Sequence, residues 1–351
     1  MKELKKTISY IALTEYHLMI SINLALTEFN NDDIENQIYY VKGKKRLSFD
    51  INEIPGLKGS IIPIAENYYT DTIKQLSKTS CSRLFFFQEN SILFKYLAYH
   101  LRKKGAIICL APDGSKPYGD FNKNHENLSL IKDTINDYRF LFKNKLILPA
   151  IIPSRYYRYG STRIIDEVWV HDIKMFDAKH NMTSGKIIQL PEFTPKVLNS
   201  VADAFGFNAD LLPKKEEVLF YINQPYWSDE LVDVEMEILR QINTLFPAND
   251  IYIKLHPNTP KKTIDAYKKL KNIVLIRDNK PAELFLFSIS NSIVFSGWSA
   301  ALMHYNNSNI YYYLYPLFKK TNDKIFTQLT IKPFEHIHVV DAVQQLKFPA
   351  N

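Results

Sequence analysis

The residues best suited to chemistry fall into three short motifs. APDGS, residues 111–115, follows an apolar run and sets the Asp113 carboxylate on a tight turn, where Gly114 supplies unusual backbone geometry and leaves room for a ligand. With its pKa adjusted by burial, such a carboxylate can take a proton from a hydroxyl, although the same residues also make an ordinary turn. KLHP, residues 254–257, ends another apolar run. Pro257 keeps His256 extended and stops the strand, so the imidazole stands at a sheet edge, where it can donate a hydrogen bond or a proton to a departing phosphate. FSGWSAAL, residues 295–302, joins a strand to an expected helix start. There Ser296 or Ser299 can cap the helix, and hydroxyls and free N–H groups around Gly297 can receive an anion.

Parallel α/β layers would position these motifs. Short β-rich runs at 8–13, 37–41, 60–64, 83–87 and 106–110 alternate with helical patterns at 15–29, 67–77 and 91–103. Residues 191–215 carry three prolines and read as a connector holding a short helix. The rhythm then restarts, with strands at 218–223, 251–255, 273–276, 292–295 and 310–314. Helices at 228–245, 261–270, 281–288 and 299–306 lie between them. This gives a first α/β domain over 1–190, a linker over 191–216 and a second α/β domain over 217–351. Ligands of such sheets bind beyond the carboxyl ends of the strands. That rule selects residues 15–17, 88–90, Asp113 with Gly114, Asn223 with Gln224, His256 with Pro257, and 296–299.

Composition narrows the classes. Two domains fit 351 residues, and 46% hydrophobic with 23% charged residues describe a globular chain. Ten glycines, about 3%, are few beside the usual ~7%. No G-x-G-x-x-G occurs, and the G-x-x-x-x-G from Gly114 to Gly119 is followed by Asp120, which excludes the common dinucleotide and P-loop fingerprints. Cys81 and Cys109 are expected as buried thiols in a reducing compartment. The net charge of +7, partly in MKELKK and KGKKR, favours anionic partners. Neither a membrane-spanning run nor a secretory signal is visible, which leads to the expectation of a cytoplasmic protein, with peripheral contact to an acidic inner membrane face compatible with the basic N-terminus. The tyrosine runs YYRY at 156–159 and YYYLY at 311–315 read as packing.

An Asp-Gly in the first domain, a His-Pro in the second and a later Ser-containing motif resemble the bacterial sialyltransferases of the GT-B type, including the enzymes that modify lipooligosaccharide and capsule. In many of those enzymes the Asp-Gly is preceded by a second acid, where this chain has Pro112. The resemblance implies a GT-B-like fold, two Rossmann-like parallel-sheet domains facing a central cleft. It also implies inverting transfer of a nonulosonic acid from a CMP-activated donor to a hydroxyl of a glycan acceptor. Asp113 becomes the general base and His256 the partner of the CMP phosphate and a general acid, with Ser296 and Ser299 as phosphate anchors. Gly114, Lys254, Pro257 and Gly297 accompany them at the donor side. Glu283 can accept from ribose hydroxyls, Asn223 and Gln224 can read the base, and Glu15, Tyr16 and His17 can meet the acceptor, with Tyr16 against the sugar. Each of these also has an ordinary use as a helix start or a turn.

A CMP leaving group carries one phosphate, which hydrogen bonds can stabilise without a cation. No Asp-x-Asp motif is present, so no metal and no other cofactor is expected. Two alternatives stay open at this point: another CMP- or UDP-sugar donor, and, in a different class, a nucleic-acid-binding protein. Against the second, the cations are dispersed and no RRM, KH or helix-turn-helix signature appears, so nucleic acid is not an expected partner.

Overall fold

Runs such as RLFF and IICL are too short for helices and lack a polar face, which suits strands covered on both sides of a parallel sheet. In the computed structural model they are central strands. The structure describes residues 5–42, 53–118, 127–149, 158–177, 183–212, 214, 216–226, 228–319 and 333–349, with backbone alone for 127–131 and 211. The basic residues at 1–4 and 43–46, Gly119, Asp120, Tyr156 and Tyr157 lie outside the described residues. The chain divides into two units, Met1–Gly206 and Phe207–Asn351.

The first unit holds strands β1 (Lys6–Ala12), β2 (Ile34–Lys42), β3 (Gly59–Ala65), β4 (Arg83–Phe86), β5 (Ile107–Leu110), β6 (Glu167–Val170) and β7 (Lys186–Gln189). All pair in parallel, in the order β3-β2-β1-β4-β5-β6-β7. Its helices are α1 (Glu15–Leu26), α2 (Tyr69–Leu76), α3 (Ile92–Arg102), α4 (Asn127–Lys143) and α5 (Pro195–Ala204). Helix α1 starts where Thr14 Oγ1 accepts the His17 N–H at 3.1 Å, with Glu15 in the first turn. It is buried from Leu18 to Ala25 and packs against α5, and Asn23 Nδ2 donates to the Pro191 carbonyl at 2.8 Å.

The second unit holds β8 (Leu219–Ile222), β9 (Ile251–Lys254), β10 (Ile273–Ile276), β11 (Ile293–Ser296), β12 (Ile310–Tyr313) and β13 (Ile337–Val339). They too are parallel, in the order β10-β9-β8-β11-β12-β13. The helices are α6 (Asp229–Leu245), α7 (Lys261–Tyr267), α8 (Ala282–Ser288) and α9 (Tyr315–Phe318). Leu219, Tyr221, Ile253 and Phe295 of the sheet meet Leu231, Leu239 and Ile242 of α6 in the core. The tyrosines of β12 are part of the sheet, and Tyr311 and Tyr313 are buried.

Both sheets reverse direction beside their first strand, between β1 and β4 and between β8 and β11. In open α/β sheets that reversal opens a crevice at the carboxyl ends. Two expectations need correction. Residues 299–306 do not form an α-helix: a 3-10 turn spans Ala300–Met303, and His304 is already extended, because Asn306 N donates to Tyr311 Oη of β12 and Asn309 Oδ1 accepts from Ser292 N just before β11. Of the two thiols, Cys109 is buried while Cys81 is half-buried.

Candidate active site

In the first unit, the turns after β1, β4 and β5 converge on Asp113. Gly114 has φ 65°, a left-handed conformation that a side chain resists, and so allows the sharp turn after the carboxylate. His17 lies 3.0 Å from Asp113 Oδ1 through Nε2. The Leu13 N–H donates to His17 Nδ1 at 3.2 Å, so Nε2 carries the proton that the carboxylate accepts. The ring is fully buried and stacks on Phe87 at 4.2 Å, which fixes its orientation. Gln88 Nε2 donates to Asp113 Oδ2 at 3.3 Å, and the Lys116 ammonium pairs with the same oxygen. Burial alone would raise the Asp113 carboxyl, but the hydrogen bond from His17 and the Lys116 charge outweigh it and hold the group well below the usual carboxylate range. The expected adjustment by burial is thus reversed in sign by the partners.

Tyr16 Oη meets His171 Nε2 at 2.6 Å, and burial pushes His171 down to about 4. His171 directly follows β6, another strand end on the same side of the sheet. The run VWVHD carries that signal, an apolar strand followed by an imidazole, yet β6 does not stand out from the sequence pattern. Glu15 is buried and accepts from Tyr40 Oη at 3.4 Å, so of the three acceptor-side candidates His17 and Tyr16 join the Asp113 region while Glu15 serves the sheet.

In the second unit, the Asn258 N–H donates to His256 Nδ1 at 3.1 Å, leaving Nε2 as the protonated nitrogen of an exposed ring. The turn carrying it is tied down: the His256 carbonyl accepts from Thr259 N at 2.9 Å, and Asn223 Oδ1 accepts from the Thr259 hydroxyl and the His256 N–H. Asn223 Nδ2 donates to Tyr267 Oη at 2.7 Å and to Glu235 Oε1 at 3.3 Å. Asn223 is therefore a buried strut beneath His256, which takes its amide away from base reading. Glu235 is fully buried, also accepts from Tyr221 Oη, and is pushed by burial up to about 7.

Several donor-side candidates spend their polar atoms inside the protein. Ser296 is fully buried; its hydroxyl donates to the Ile222 carbonyl at 2.8 Å and accepts the Ser299 N–H at 3.2 Å, so it fastens β11 to β8 and does not face an anion. Ser299 Oγ accepts from Ala301 N at 3.3 Å and caps the 3-10 turn, as expected of a capping serine. Lys254 is buried and donates to the Asp278 carbonyl at 2.6 Å. Glu283, at the start of α8, is buried, and desolvation pushes it up to about 7. Pro257 is exposed next to His256. At Gly297 a Cβ would sit 2.5 Å from Tyr226 Oη and 3.3 Å from Gln224 Oε1, so only glycine lets these side chains approach. The Gln224 Oε1 atom is buried and has no hydrogen-bond partner among the described residues. Gln224, Tyr226 and Gly297 thus meet between the ends of β8 and β11.

Each unit is a parallel α/β sheet with polar side chains gathered at its strand ends, Asp113 in the first and His256 in the second, the architecture of nucleotide-using transferases. Residues 35–310 match the alpha-2,8-polysialyltransferase family, and the chain belongs to it. It is a sialyltransferase, which sets aside the nucleic-acid-binding alternative. The matched span contains Asp113, His256 and Ser296–Ser299 but not Glu15, Tyr16 or His17. Among solved structures, the GT-B domain of a sialyltransferase from Photobacterium damselae superposes with TM-score 0.53 at 10% identity, covering 88% of this chain and 91% of that one. A second Photobacterium damsela sialyltransferase structure gives TM-score 0.53 at 12% identity, covering 95% and 81%. At these identities the likeness is one of fold, and it agrees with the expected GT-B architecture. No curated protein matches the chain.

Proposed function

We propose that this sialyltransferase lengthens polysialic acid, moving a sialic acid from CMP-sialic acid to a hydroxyl of a terminal sialyl group on a surface glycan. The acceptor oxygen attacks the anomeric carbon, the bond from that carbon to the CMP phosphate breaks, and the configuration inverts. Asp113 receives the acceptor proton, and His256 Nε2 donates to a phosphate oxygen of the departing CMP.

The observation that carries this reading is the Asp113 carboxylate, held at the end of β5 by His17, Gln88 and Lys116. A carboxylate so strongly stabilised is a weak base. It suits a transition state in which the sugar is already cationic, because the attacking hydroxyl then becomes acidic late, as bond formation advances. Lys116, half-exposed, can swing away when an acceptor enters, which would make Asp113 more basic. On the donor side, the buried struts Asn223 and Ser296 hold the strand ends, and His256 is the exposed group we assign to the nucleotide phosphate. We assign no metal to the reaction, since a single phosphate can be stabilised by hydrogen bonds.

The test is transfer by the purified protein. With CMP-sialic acid and a sialylated oligosaccharide, products should grow by sialyl units with stoichiometric CMP release. UDP-sugars should give neither. Extension of an acceptor that lacks sialic acid, with none of the sialylated one, would reject the acceptor assignment.

A further inference from the structure

Helix α4 presents two contrasting faces. Inward, it packs on α3, where Asp137 lies within electrostatic reach of the buried Lys95, and Leu141, Leu146 and Leu148 are buried. Outward, Phe142 is 87% exposed, Ile147 76%, Ile135 47% and Phe140 39%. Ile135 and Phe142 are seven residues apart, two turns, and therefore share a stripe, with Arg139 between them. The exposed charged residues of 132–149 are Lys132, Arg139, Lys143 and Lys145, all cations, whereas Asp133 and Asp137 are partly buried. The end of this surface is held in place. Lys145 takes φ 55°, Leu146 N donates to the Leu141 carbonyl at 2.9 Å, and His100 Nε2 meets the Ile147 carbonyl at 3.1 Å, so the Ile147 side chain is displayed from a fixed backbone.

We infer that this face docks on an anionic lipid surface, Phe142 and Ile147 entering the apolar boundary while Lys132, Arg139, Lys143 and Lys145 meet the headgroups. Fixed aromatic and aliphatic side chains among cations, with no exposed acid among the described residues of 132–149, match the requirements of interfacial binding. A second copy of the chain would set four cations against four. A polyanionic glycan would engage the cations and gain nothing from Phe142 and Ile147, which stand mostly in water.

The full-length protein is sedimented with vesicles of phosphatidylcholine alone and with vesicles that include phosphatidylglycerol. It should pellet with the second kind, and less as salt rises. Phe142→Asp with Ile147→Asp should lower the partition at least ~10-fold, and each of Lys143→Ala and Lys145→Ala about 5-fold. Transfer to a soluble acceptor should be unchanged in all of them, showing that the fold is intact. Failure of the parent protein to pellet with anionic vesicles would overturn the inference. So would Asp variants that pellet like the parent while the lysine variants do not, since that pattern marks a polyanion site. Dimers in sedimentation velocity, abolished by the Asp variants with no vesicle binding, would assign the face to a second copy instead.

Discussion

The proton on His17 Nε2 points at Asp113 Oδ1 from 3.0 Å, and the other nitrogen of the ring is occupied by the Leu13 N–H. One imidazole therefore sets the direction of a carboxylate 96 residues further along the chain. Two consequences can be separated, one for the carboxylate and one for its orientation.

Asp113→Ala should abolish sialyl transfer, with kcat down by roughly 10²–10⁴-fold, the range for loss of a positioned base, while CMP still binds. Rates from CMP release and affinities from calorimetry check this, and undiminished turnover would reject Asp113 as the base.

His17→Ala leaves the carboxylate but removes its donor, so kcat should fall less than for Asp113→Ala. The acid limb of the pH–kcat profile should move to higher pH, because a group that holds the Asp113 carboxyl down has gone. The sign for stability follows the same group. A carboxyl depressed in the folded state contributes stability present above its unfolded value of ~3.9, and this is lost as pH falls through the folded value. Thermal melts from pH 6 down to pH 2 should show the parent protein losing more than His17→Ala. Superimposable pH profiles for the two proteins would mean that His17 only packs.

His256→Ala should lower kcat and weaken CMP binding together, since the exposed ring is the group assigned to the CMP phosphate. Full activity in EDTA is expected of both the parent and the slower variant. Normal kinetics of the variant would reduce His256 to a turn residue, and restoration of EDTA-quenched activity by magnesium would remove the account based on hydrogen bonds alone.

Glu235 titrates at about 7 because it is buried, while in the unfolded chain it has its ordinary value. The folded protein then holds an extra proton between the two values, so stability falls as pH rises from ~4.5 to about 7. Glu235→Gln keeps an acceptor for Tyr221 and Asn223 but cannot ionise. The difference in Tm between pH 5 and pH 8 should shrink in this variant, and an unchanged difference would place the titration elsewhere.

Gly297→Ala should destabilise the second unit by about 1–3 kcal/mol, because the new methyl group meets Tyr226 Oη at 2.5 Å. Combining it with Tyr226→Phe removes the hydroxyl that clashes, and most of the loss should return in a double-mutant cycle of thermal melts. Additive losses would show that the close approach is not the cause.

The strand positions that carry Asp113, His256 and Ser296 are legible in the sequence because each motif interrupts a short apolar run, and only the sheet ends offer such places. The pairing of His17 with Asp113 is not legible. It arises because β1, β4 and β5 are adjacent in the sheet, a fact of strand order that no local spacing encodes. His171 escapes for a related reason: β6 is four residues long, with Glu167 inside it satisfied by Arg83 and Trp169, so its charge masks the strand. Ser296 misleads in the opposite direction, since its hydroxyl looks available until the Ile222 carbonyl of the neighbouring strand is found to hold it. Helix α4 is hidden by its own surface, where apolar and basic residues share the exposed face.

The order of β1, β4 and β5 in the sheet also bears on biosynthesis. A nascent polypeptide emerging from the ribosome has His17 long before Asp113, and the two can meet only after β4 has docked beside β1 and β5 beside β4. The Asp113 carboxylate thus takes its orientation from completion of the central sheet, and a partly translated chain that stops short of β5 does not yet contain it.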